Sequence, residues 1–310
     1  MALIRTKKAP KISVCMATWN REKYLHQTIE SILNQTFTEF EFIIINDGST
    51  DNSKSILKTF AALDDRIVLI HQENAGCYPS RNRALSLAKS KYTAVVDSDD
   101  PCRKDRLEKQ YNFLESNPDH VCVGSFVRVM DAQGNLFQIR EYQTTHEQIN
   151  QSLLNADGMS HPCLMFRTDV VRSFGGYNQS APCGADYHLA LMLSEHGKVA
   201  NLPHPLTYWR IHNDSISSAK QNKQKQMSYH YCKLAHARRN LPFDLTFEQY
   251  CIQHFDTHTY HDPSMISAML SNYALRSGNF SAARKYALNS IRQSPFKINN
   301  WKLLKWSLTG

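Results

Sequence analysis

The sequence predicts an α/β fold, an open parallel sheet with helices on both faces, followed by a smaller helical extension. Three observations predict it. Short apolar runs alternate with segments of helical periodicity through the first third of the chain. The apolar runs are continuous, which is typical of parallel strands that are covered on both faces. After residue 216 the composition becomes polar and then helical, so we divide the chain into residues 1–216 and 217–310.

The first hundred residues give the clearest elements. The segment 21–34 carries apolar side chains at helical spacing, and the two later helices follow the same period. The run before each helix is short and apolar, as buried strands are. The predicted strands span 12–16, 40–45, 67–71 and 92–96, and the predicted helices span 21–34, 53–63 and 80–90. Ligands of such sheets bind beyond the carboxyl ends of the strands.

The middle of the chain predicts further elements of both kinds. We expect helices at 106–117 and 185–196, strands at 121–130 and 163–167, and a hairpin-like turn at 131–135. The polar, Lys- and Gln-rich segment 217–227 is either a linker or the start of a solvated helix.

The tail from 263 to 308 predicts helices alone. Its small and aromatic residues are spaced as in a single tetratricopeptide unit, a helical hairpin of about 34 residues. One such unit cannot bury its own apolar face. We therefore expect the tail to pack on the main domain, on a protein partner or on a second copy of the chain.

Composition indicates a globular protein with an anionic partner. The chain has 310 residues, 42% of them hydrophobic, and a net charge of +8. A basic balance suits a nucleotide diphosphate, an acidic membrane surface or a nucleic acid, and charge alone does not choose among them. A surface that only keeps the protein in solution would have the same charge.

The eight cysteines form no Cys-x-x-Cys pair, which argues against a zinc ribbon or a thioredoxin-like site. Several lie in apolar runs, as buried thiols do, so we expect a reducing cytoplasm. No uninterrupted apolar stretch reaches about 18 residues, the length that a membrane-spanning helix needs. Any membrane contact would therefore be peripheral, on the inner face of the membrane.

An acidic cluster follows the predicted strand 92–96. Asp97, Ser98, Asp99 and Asp100 stand at the strand end, where two carboxylates two residues apart can address one site. Carboxylate oxygens are hard ligands that suit Mg²⁺ or Mn²⁺, and these ions bridge diphosphate oxygens. The alternative is a solvated acidic turn, or a helix N-cap near Asp105.

Two further polar clusters follow earlier strands. Asp47 lies in the turn 46–51, where its carboxylate can accept a hydrogen bond from a base or a ribose. Turn and capping chemistry also explains this segment, and both explanations can hold together. Trp19 follows the first strand within 17–21, where it either stacks on a nucleobase or packs in the core.

Taken together, these residues resemble family-two glycosyltransferases with the GT-A fold. The order and spacing of the motifs agree over residues 11 to 216. The motifs are Ile12-Ser13-Val14, Thr18-Trp19-Asn20-Arg21, Asn46-Asp47-Gly48-Ser49-Thr50-Asp51, Asn74-Ala75-Gly76, Ser80-Arg81-Asn82, Asp97-Ser98-Asp99-Asp100, Ser160-His161-Pro162, Arg167, Phe174-Gly175-Gly176-Tyr177, Ala185-Asp186-Tyr187 and Trp209-Arg210-Ile211-His212. The set in register is far more specific than any single motif.

The resemblance implies a role for each matching position. Asp186 would be the catalytic base, and Asp99, helped by Asp100, would bind the Mn²⁺ or Mg²⁺ cofactor. The nucleotide-sugar donor would be contacted by Thr18, Trp19, Asn20, Asp47, Arg81, Asp97, Ser98 and His212. The implied reaction is an inverting, metal-dependent transfer of a hexose from a nucleotide-sugar, with UDP the commonest nucleotide, to a glycan or lipid-linked acceptor in polysaccharide biosynthesis.

Four positions depart from the family pattern. Asn46 replaces a frequent Asp, and Trp19 stands where Tyr is common. Ala185 replaces the first residue of a frequent Glu-Asp pair, and His188 replaces a later acid. These departures bear on acceptor recognition more than on donor binding. The alternative for Asp186 is an N-cap of the helix that follows, and the alternative for His212 is a satisfied, partly buried histidine.

Other functions remain open at this point. One alternative is a non-catalytic nucleotide-sugar binder or scaffold that uses its tail for partners, because Ala185 removes one carboxylate of the acidic pair at 185–186. A nucleotidyltransferase would carry a Gly-rich phosphate loop near the first strand, and 17–23 is not one. The resemblance leaves no role for nucleic acid.

The segment 301–306 mixes Trp with Lys as interfacial helices do, although tail packing also explains it. His254, His258 and His261 indicate a surface or an interface rather than a metal site.

Overall fold

The computed structural model describes residues 9–155, 158–212, 221–254 and 264–309. The strands, in chain order, are β1 (Ile12–Thr18), β2 (Phe40–Asp47), β3 (Ile67–Gln72), β4 (Tyr92–Asp97), β5 (His120–Asp131), β6 (Leu136–Arg140), β7 (Met165–Arg167) and β8 (Lys198–Ile211). The helices are α1 (Glu22–Leu33), α2 (Ser53–Leu63), α3 (Cys77–Leu87), α4 (Arg106–Ser116), α5 (His146–Leu153), α6 (Thr168–Ser173), α7 (Ala185–His196), α8 (Gln221–Arg238), α9 (Phe247–His254), α10 (Ser264–Arg276), α11 (Phe280–Gln293) and α12 (Ile298–Thr309), with a 3₁₀ turn at His161–Cys163.

The strands form one mixed sheet in the order β3-β2-β1-β4-β7-β5-β6. The four strands expected in the first hundred residues are present and parallel. The sheet then continues through β7, which is antiparallel to both β4 and β5, so it is mixed and not wholly parallel as expected. β8 runs parallel to the whole of β5.

Helices cover both faces of the sheet, as expected. Successive side chains of a strand point to opposite faces, and β2 shows the result. Phe42 and Ile44 pack with α1, α2 and α4, whereas Ile43 and Ile45 pack with α3. A separate cluster joins α7 to the sheet around Leu189. Helices therefore cover both faces of the sheet, and its ligands can reach only the strand ends.

The tail is helical, as predicted, and it is not detached from the sheet. Helices α10 and α11 form a hairpin, with α12 packed against it. Leu270, Ala274 and Tyr286 from this hairpin share one cluster with Phe137 of β6 and Ile211 of β8. The tail thus covers apolar surface of the sheet that would otherwise face water.

The segment 217–227 is helical from residue 221 onward, in α8, which favours the solvated helix over the linker for that part. Residues 217–220 and the division at 216/217 lie outside the described residues, as do His258 and His261. All eight cysteines are described, and each has a free thiol. No helix in the described ranges is long and apolar enough to cross a membrane.

Candidate functional site

The polar clusters that follow β1, β2 and β4 meet at one edge of the sheet. Thr18 pairs with Asn46 across β1 and β2, and Ala17 pairs with Asp97 across β1 and β4. Because the three strands are parallel and in this register, their carboxyl ends open onto the same place. The sheet therefore brings the motifs of residues 17–21, 46–51 and 97–100 together.

Asn20 fastens the loop after β1 to the loop after β2. Its side-chain amide donates to Oγ1 of Thr50 at 3.2 Å, and its Oδ1 accepts from the Thr50 amide at 2.8 Å. Its φ of +49° lies in the left-handed region, which Asn tolerates better than most residues. Beside it, the Trp19 side chain is about half exposed, so it is not a core residue.

Asp47 organises the loop that leads into α3. Its Oδ1 accepts from the Gln72 side chain at 2.7 Å and from the Ala75 amide at 2.9 Å, and its Oδ2 accepts from the Gly76 amide at 2.9 Å. A carboxylate offers about four acceptor positions, so one position remains for a ligand. The turn-chemistry explanation is therefore correct, and it is compatible with nucleotide binding.

Arg81 and Asp97 form an ion pair at the start of the acidic cluster. The guanidinium donates to Asp97 Oδ1 at 2.6 Å, and it also lies over the rings of Tyr78 and Tyr177. Burial raises the pKa of Asp97, against the lowering effect of Arg81, and the charges of Asp99 and Asp186 raise it further. The pair thus fixes a cation and a carboxylate beside the remaining acids.

Asp99 is held by two groups from distant parts of the chain. Arg21 donates its Nε to Asp99 Oδ2 at 3.2 Å, and His212 Nε2 lies 3.0 Å from the same oxygen. Burial favours the neutral acid, but the hydrogen bond from His212 and the charge of Arg21 prevail and lower the pKa of Asp99. Asp99 is therefore an anion, and the imidazole predicted to lie near the metal is its direct neighbour.

Asp100 is buried against strand β8. Its Oδ1 accepts from the backbone amide of Arg210 at 2.7 Å, and its side chain is buried. Burial, together with the charges of Asp99 and Asp97, raises the pKa of Asp100 well above its usual range. Asp100 therefore anchors β8 to the acidic loop in this structure. Ser98, between the two acids, is also buried.

Asp186 lies across a cleft from the acidic cluster. The cleft has a volume of about 270 Å³, and Asp97, His161, Asp186 and Trp209 all line it. Asp186 stands in the first turn of α7, where its Oδ1 accepts only the amide of the next residue, Tyr187, at 3.0 Å among the contacts of the described residues. Asp186 therefore does not make the hydrogen bond to a later amide that an N-cap residue would make. Its position suits proton transfer to or from a ligand in the cleft.

The chain also matches a known family over this region. A family model described as "Glycosyl transferase family 2" matches residues 13–175. The O-antigen biosynthesis glycosyltransferase WbnJ of Escherichia coli is 34% identical over 229 residues, which cover 71% of this chain and 85% of that protein. The chain belongs to glycosyl transferase family 2. It is a glycosyltransferase, as the resemblance of its motifs implied.

Solved structures support the fold of this glycosyltransferase. Staphylococcus aureus TarS (residues 1–349), in complex with UDP-GlcNAc, superimposes with a TM-score of 0.63 at 17% identity, over 97% of this chain and 92% of that one. The mannosyltransferase PcManGT of Pyrobaculum calidifontis, in complex with GDP-Man and Mn²⁺, gives a TM-score of 0.59 at 16% identity, over 97% and 86% of the two chains. At these identities the likeness shows the GT-A fold alone.

The glycosyltransferase offers few protein ligands for a metal. Within the described ranges, no group of three or more His, Cys, Asp or Glu side chains could hold an ion. Asp99 and His212 are adjacent, and their oxygen and nitrogen donors are of the kind that Mn²⁺ accepts. The carboxylates of residues 97, 99 and 100 lie close enough for their charges to interact, and a cation would offset that charge. The residues therefore fit an ion whose other ligands come from a diphosphate.

Three residues of the site had no role in our sequence interpretation. Arg21 and Arg210 hold the acidic loop, and His161 lies between Asp97 and Tyr177, with its Nε2 2.9 Å from the tyrosine hydroxyl. Burial and the charges of Arg81 and Arg106 lower the pKa of His161 well below its usual range, so it is neutral. All three stand in or beside motifs of the family resemblance, and this position was the signal in the sequence that could have identified them.

Proposed function

We propose that the protein transfers a hexose, with inversion, from a UDP-sugar to a hydroxyl group of a polysaccharide or a lipid-linked glycan, and that the transfer needs Mn²⁺ or Mg²⁺. The observation that carries this proposal is the cleft that Asp97 and Asp186 share. In this proposal Asp186 is the base, and the nucleotide-sugar lies at the end of the sheet that Asp97 marks. The family supplies the reaction class, and the cleft supplies the arrangement of groups.

The loops after β1 and β2 suit the nucleoside. Trp19 presents an exposed ring on which a pyrimidine can stack, next to the buried hydroxyl of Thr18, which has no hydrogen-bond partner in the described structure. Asp47 would accept a hydrogen bond from a base N–H in addition to its three bonds from the protein. Asn20 holds the two loops at a fixed separation, which reduces the entropy lost when the base binds.

The acidic loop suits the diphosphate and the ion. Asp99 and His212 would hold the metal, which, when bound, neutralises charge on the departing diphosphate. Arg81 keeps Asp97 in place for a ribose hydroxyl, and Arg21 does the same for Asp99. Asp100 contributes by anchoring the loop to β8, so we propose a positioning role for it in place of a ligand.

Asp186 would serve as the base of a single displacement. The acceptor hydroxyl forms a bond to the anomeric carbon while the bond from that carbon to the diphosphate oxygen breaks. Asp186 takes the proton of the hydroxyl, and the diphosphate leaves with the electron pair. Trp209 lines the same cleft and offers a flat apolar surface against which the acceptor sugar can pack. When both substrates fill the cleft, they exclude water from the reacting carbon.

The relatives support the donor and the setting. WbnJ is named for O-antigen biosynthesis, a cell-surface polysaccharide, and TarS was solved with UDP-GlcNAc. PcManGT was solved with GDP-Man and Mn²⁺, so a metal accompanies a nucleotide-sugar on this fold. These names motivate a UDP-sugar first and a GDP-sugar second, and they do not choose the hexose.

A variant of Asp186 with a matched control tests the base. Asp169 stands in the first turn of α6 and accepts from the next amide, that of Val170, at 2.9 Å, which is the same local contact that Asp186 makes. We expect Asp186→Asn to lower kcat by about 10²- to 10⁴-fold, the range of general-base effects, and Asp169→Asn to leave it unchanged. The donor affinity should be the same in both variants.

The measurement begins with calorimetric binding of UDP and GDP, in Mn²⁺ and then in EDTA, and continues with transfer from the sugars of whichever nucleotide binds. Binding that requires the metal supports the donor site. Unchanged turnover in Asp186→Asn would remove the base assignment. Folded protein that binds neither nucleotide would overturn the proposal as a whole.

A further inference from the structure

The tail of the chain is basic throughout. Residues 263–310 contain seven Lys and Arg and no Asp or Glu, so they carry +7 of the net +8. The basic residues are Arg276, Arg284, Lys285, Arg292, Lys297, Lys302 and Lys305. With no acidic residue to offset these charges, the tail attracts anions.

The same tail exposes large apolar side chains. Phe296, in the turn before α12, is 97% exposed, and Ile298, at the start of α12, is 72% exposed. Trp301, Trp306 and Leu308 of α12 are each more than half exposed. A cluster of this kind on one short element is unusual for a surface that faces only water.

Helix α12 has two distinct faces. Its buried residues, Asn300, Leu303 and Ser307, lie on one side at helical spacing. On the opposite side, Lys302 and Lys305 occupy the middle of the exposed surface. At 3.6 residues per turn, Trp301 and Leu308 fall along one edge of that surface and Trp306 along the other. The outer face is therefore a basic strip with an indole on each side.

The buried face of α12 is fixed to α11 by specific contacts. The Asn300 side chain donates to the carbonyls of Ser290 and Ser294, at 3.0 and 3.1 Å. Arg284 of α11 donates its Nε to the Ser307 carbonyl at 2.9 Å, near the C-terminal end of α12.

Trp301 also donates its indole N–H to the Pro295 carbonyl at 2.7 Å, which leaves about half of its side chain exposed. These contacts and Leu303 settle how α12 packs on the protein, and they leave the lysines and Trp306 of the outer face facing solvent.

We propose that the outer face of α12, with the turn at Phe296, binds the surface of a membrane that contains anionic lipids. Tryptophan side chains concentrate at the level of lipid headgroups, and lysines near an anionic leaflet are attracted to it. The lysine alkyl chains lie along the apolar boundary while their ammonium groups reach the phosphates. The contact is shallow, because the charges of Lys302 and Lys305 in the middle of the strip stay at the level of the headgroups. This membrane contact is separate from the transfer reaction, because it holds the enzyme at a lipid surface.

Flotation of the full-length protein with vesicles tests this proposal. One set of vesicles is phosphatidylcholine alone, and the other contains about one-third phosphatidylglycerol. We expect recovery with the anionic vesicles only, and we expect it to fall as salt is added, because screening shortens the reach of the charges. Equal recovery with both sets, or none with either, would overturn the proposal.

Matched variants separate the outer face from charge in general. Lys302→Gln with Lys305→Gln should lower the partition coefficient by about twenty-five-fold, the product of roughly fivefold for each lysine near the surface. Lys54→Gln with Lys58→Gln removes the same charge from the exposed side of α2 and should leave the partition coefficient unchanged within about threefold.

A second pair of variants tests the indoles. Trp301→Ala with Trp306→Ala should abolish recovery, whereas Leu63→Ala, at an exposed apolar residue of α2, should not. Transfer to a soluble acceptor should persist in every tail variant, which distinguishes failure of this proposal from failure of the proposed reaction. Recovery that is insensitive to the tail variants, or association with an acidic protein in place of vesicles, would count against a lipid surface.

Discussion

Trp19 stands apart from the other residues of the site because half of its side chain faces solvent, at the mouth of a sheet whose core is dry. A large exposed ring makes a small contribution to folding, and its stacking surface is available to a ligand. We therefore expect Trp19→Ala to weaken UDP binding by about tenfold to a hundredfold, from the usual value of base stacking, without lowering the thermal midpoint. Titration calorimetry and a thermal scan of the same sample measure both quantities.

Trp306→Ala provides the control for Trp19→Ala, because Trp306 is exposed to a similar extent at the other end of the chain. UDP should bind this variant as it binds the parent protein. If both substitutions weakened UDP binding alike, stacking at Trp19 would not be the cause.

His212 allows its structural and ligand roles to be separated. Glutamine can keep a donor to Asp99, but it removes the imidazole nitrogen that would bind an ion. We expect His212→Gln to weaken Mn²⁺-dependent UDP binding by at least about tenfold and to leave binding in EDTA unchanged. His196→Gln, at an exposed position of α7, is the control. An equal loss with and without Mn²⁺ would show that His212 only supports the loop.

The residues that sequence motifs identify and those that they miss differ in a physical way. Asp47, Asp97 and Asp99 follow strands, so their position at the sheet edge can be inferred from the local pattern. Arg21 and Arg210 reach Asp99 from 78 and 111 residues away. No local spacing predicts such a contact, because it depends on how α1 and β8 pack in three dimensions.

Strand β8 shows where the prediction of secondary structure from the sequence fails. It carries Pro203 and Pro205, and proline is normally excluded from the interior of a sheet because it lacks an amide hydrogen. The pairing of β5 with β8 shifts register at Ser125 and Phe126, opposite these prolines. The ladder is therefore interrupted where the prolines have no amide hydrogen to donate. The continuous apolar strands β1 to β4 were predictable from sequence, whereas β8 was not, since its pattern is interrupted by the prolines.

The tail hairpin contacts the acidic loop through a chain of hydrogen bonds. Tyr286 of α11 donates to Asp131 Oδ2, and the carbonyl of Asp131 accepts from Arg210, whose amide holds Asp100. We expect Tyr286→Phe to lower the free energy of unfolding by about 2 kcal/mol, the usual value of a hydrogen bond to a charged group. Urea denaturation measures it. Tyr273→Phe, which removes a hydroxyl from α10 and leaves the Asp131 contact in place, is the control.

The effect of Tyr286→Phe depends on pH in a defined direction. Burial raises the pKa of Asp131, but the hydrogen bonds from Tyr286 and Asn135 outweigh it, so the folded pKa is lowered. A lowered pKa stabilises the fold above the unfolded value of about 3.9, and this stability is lost as the pH falls through the folded pKa. The difference between Tyr286→Phe and the parent should therefore be full at neutral pH and shrink in acid. A difference that is constant with pH would exclude this linkage.

At the scale of the whole molecule, the division into residues 1–216 and 217–310 separates parts that share their apolar cores. Helix α8 contributes Tyr231 and Ala235 to the cluster around α7. The hairpin of α10 and α11 covers Phe137 and Ile211 of the sheet. Trp209 packs against this last cluster and also lines the cleft. Trp209 thus connects the packing of the tail hairpin to the lining of the cleft.

Shared cores should make the protein unfold as one unit. We expect calorimetry of the full chain to show a single transition, and UDP with Mn²⁺ at a hundredfold excess over Kd to stabilise all of it by about 2.7 kcal/mol. Two transitions, with the nucleotide moving only one of them, would show that the tail is an independent domain. Phe137→Ala sharpens the test, because it removes a ring that contacts Tyr286 edge-on, with 6.3 Å between centroids. If the coupling runs through this cluster, the variant should split the transition, whereas Phe42→Ala, which lies in the core around α1, should lower a transition that stays single.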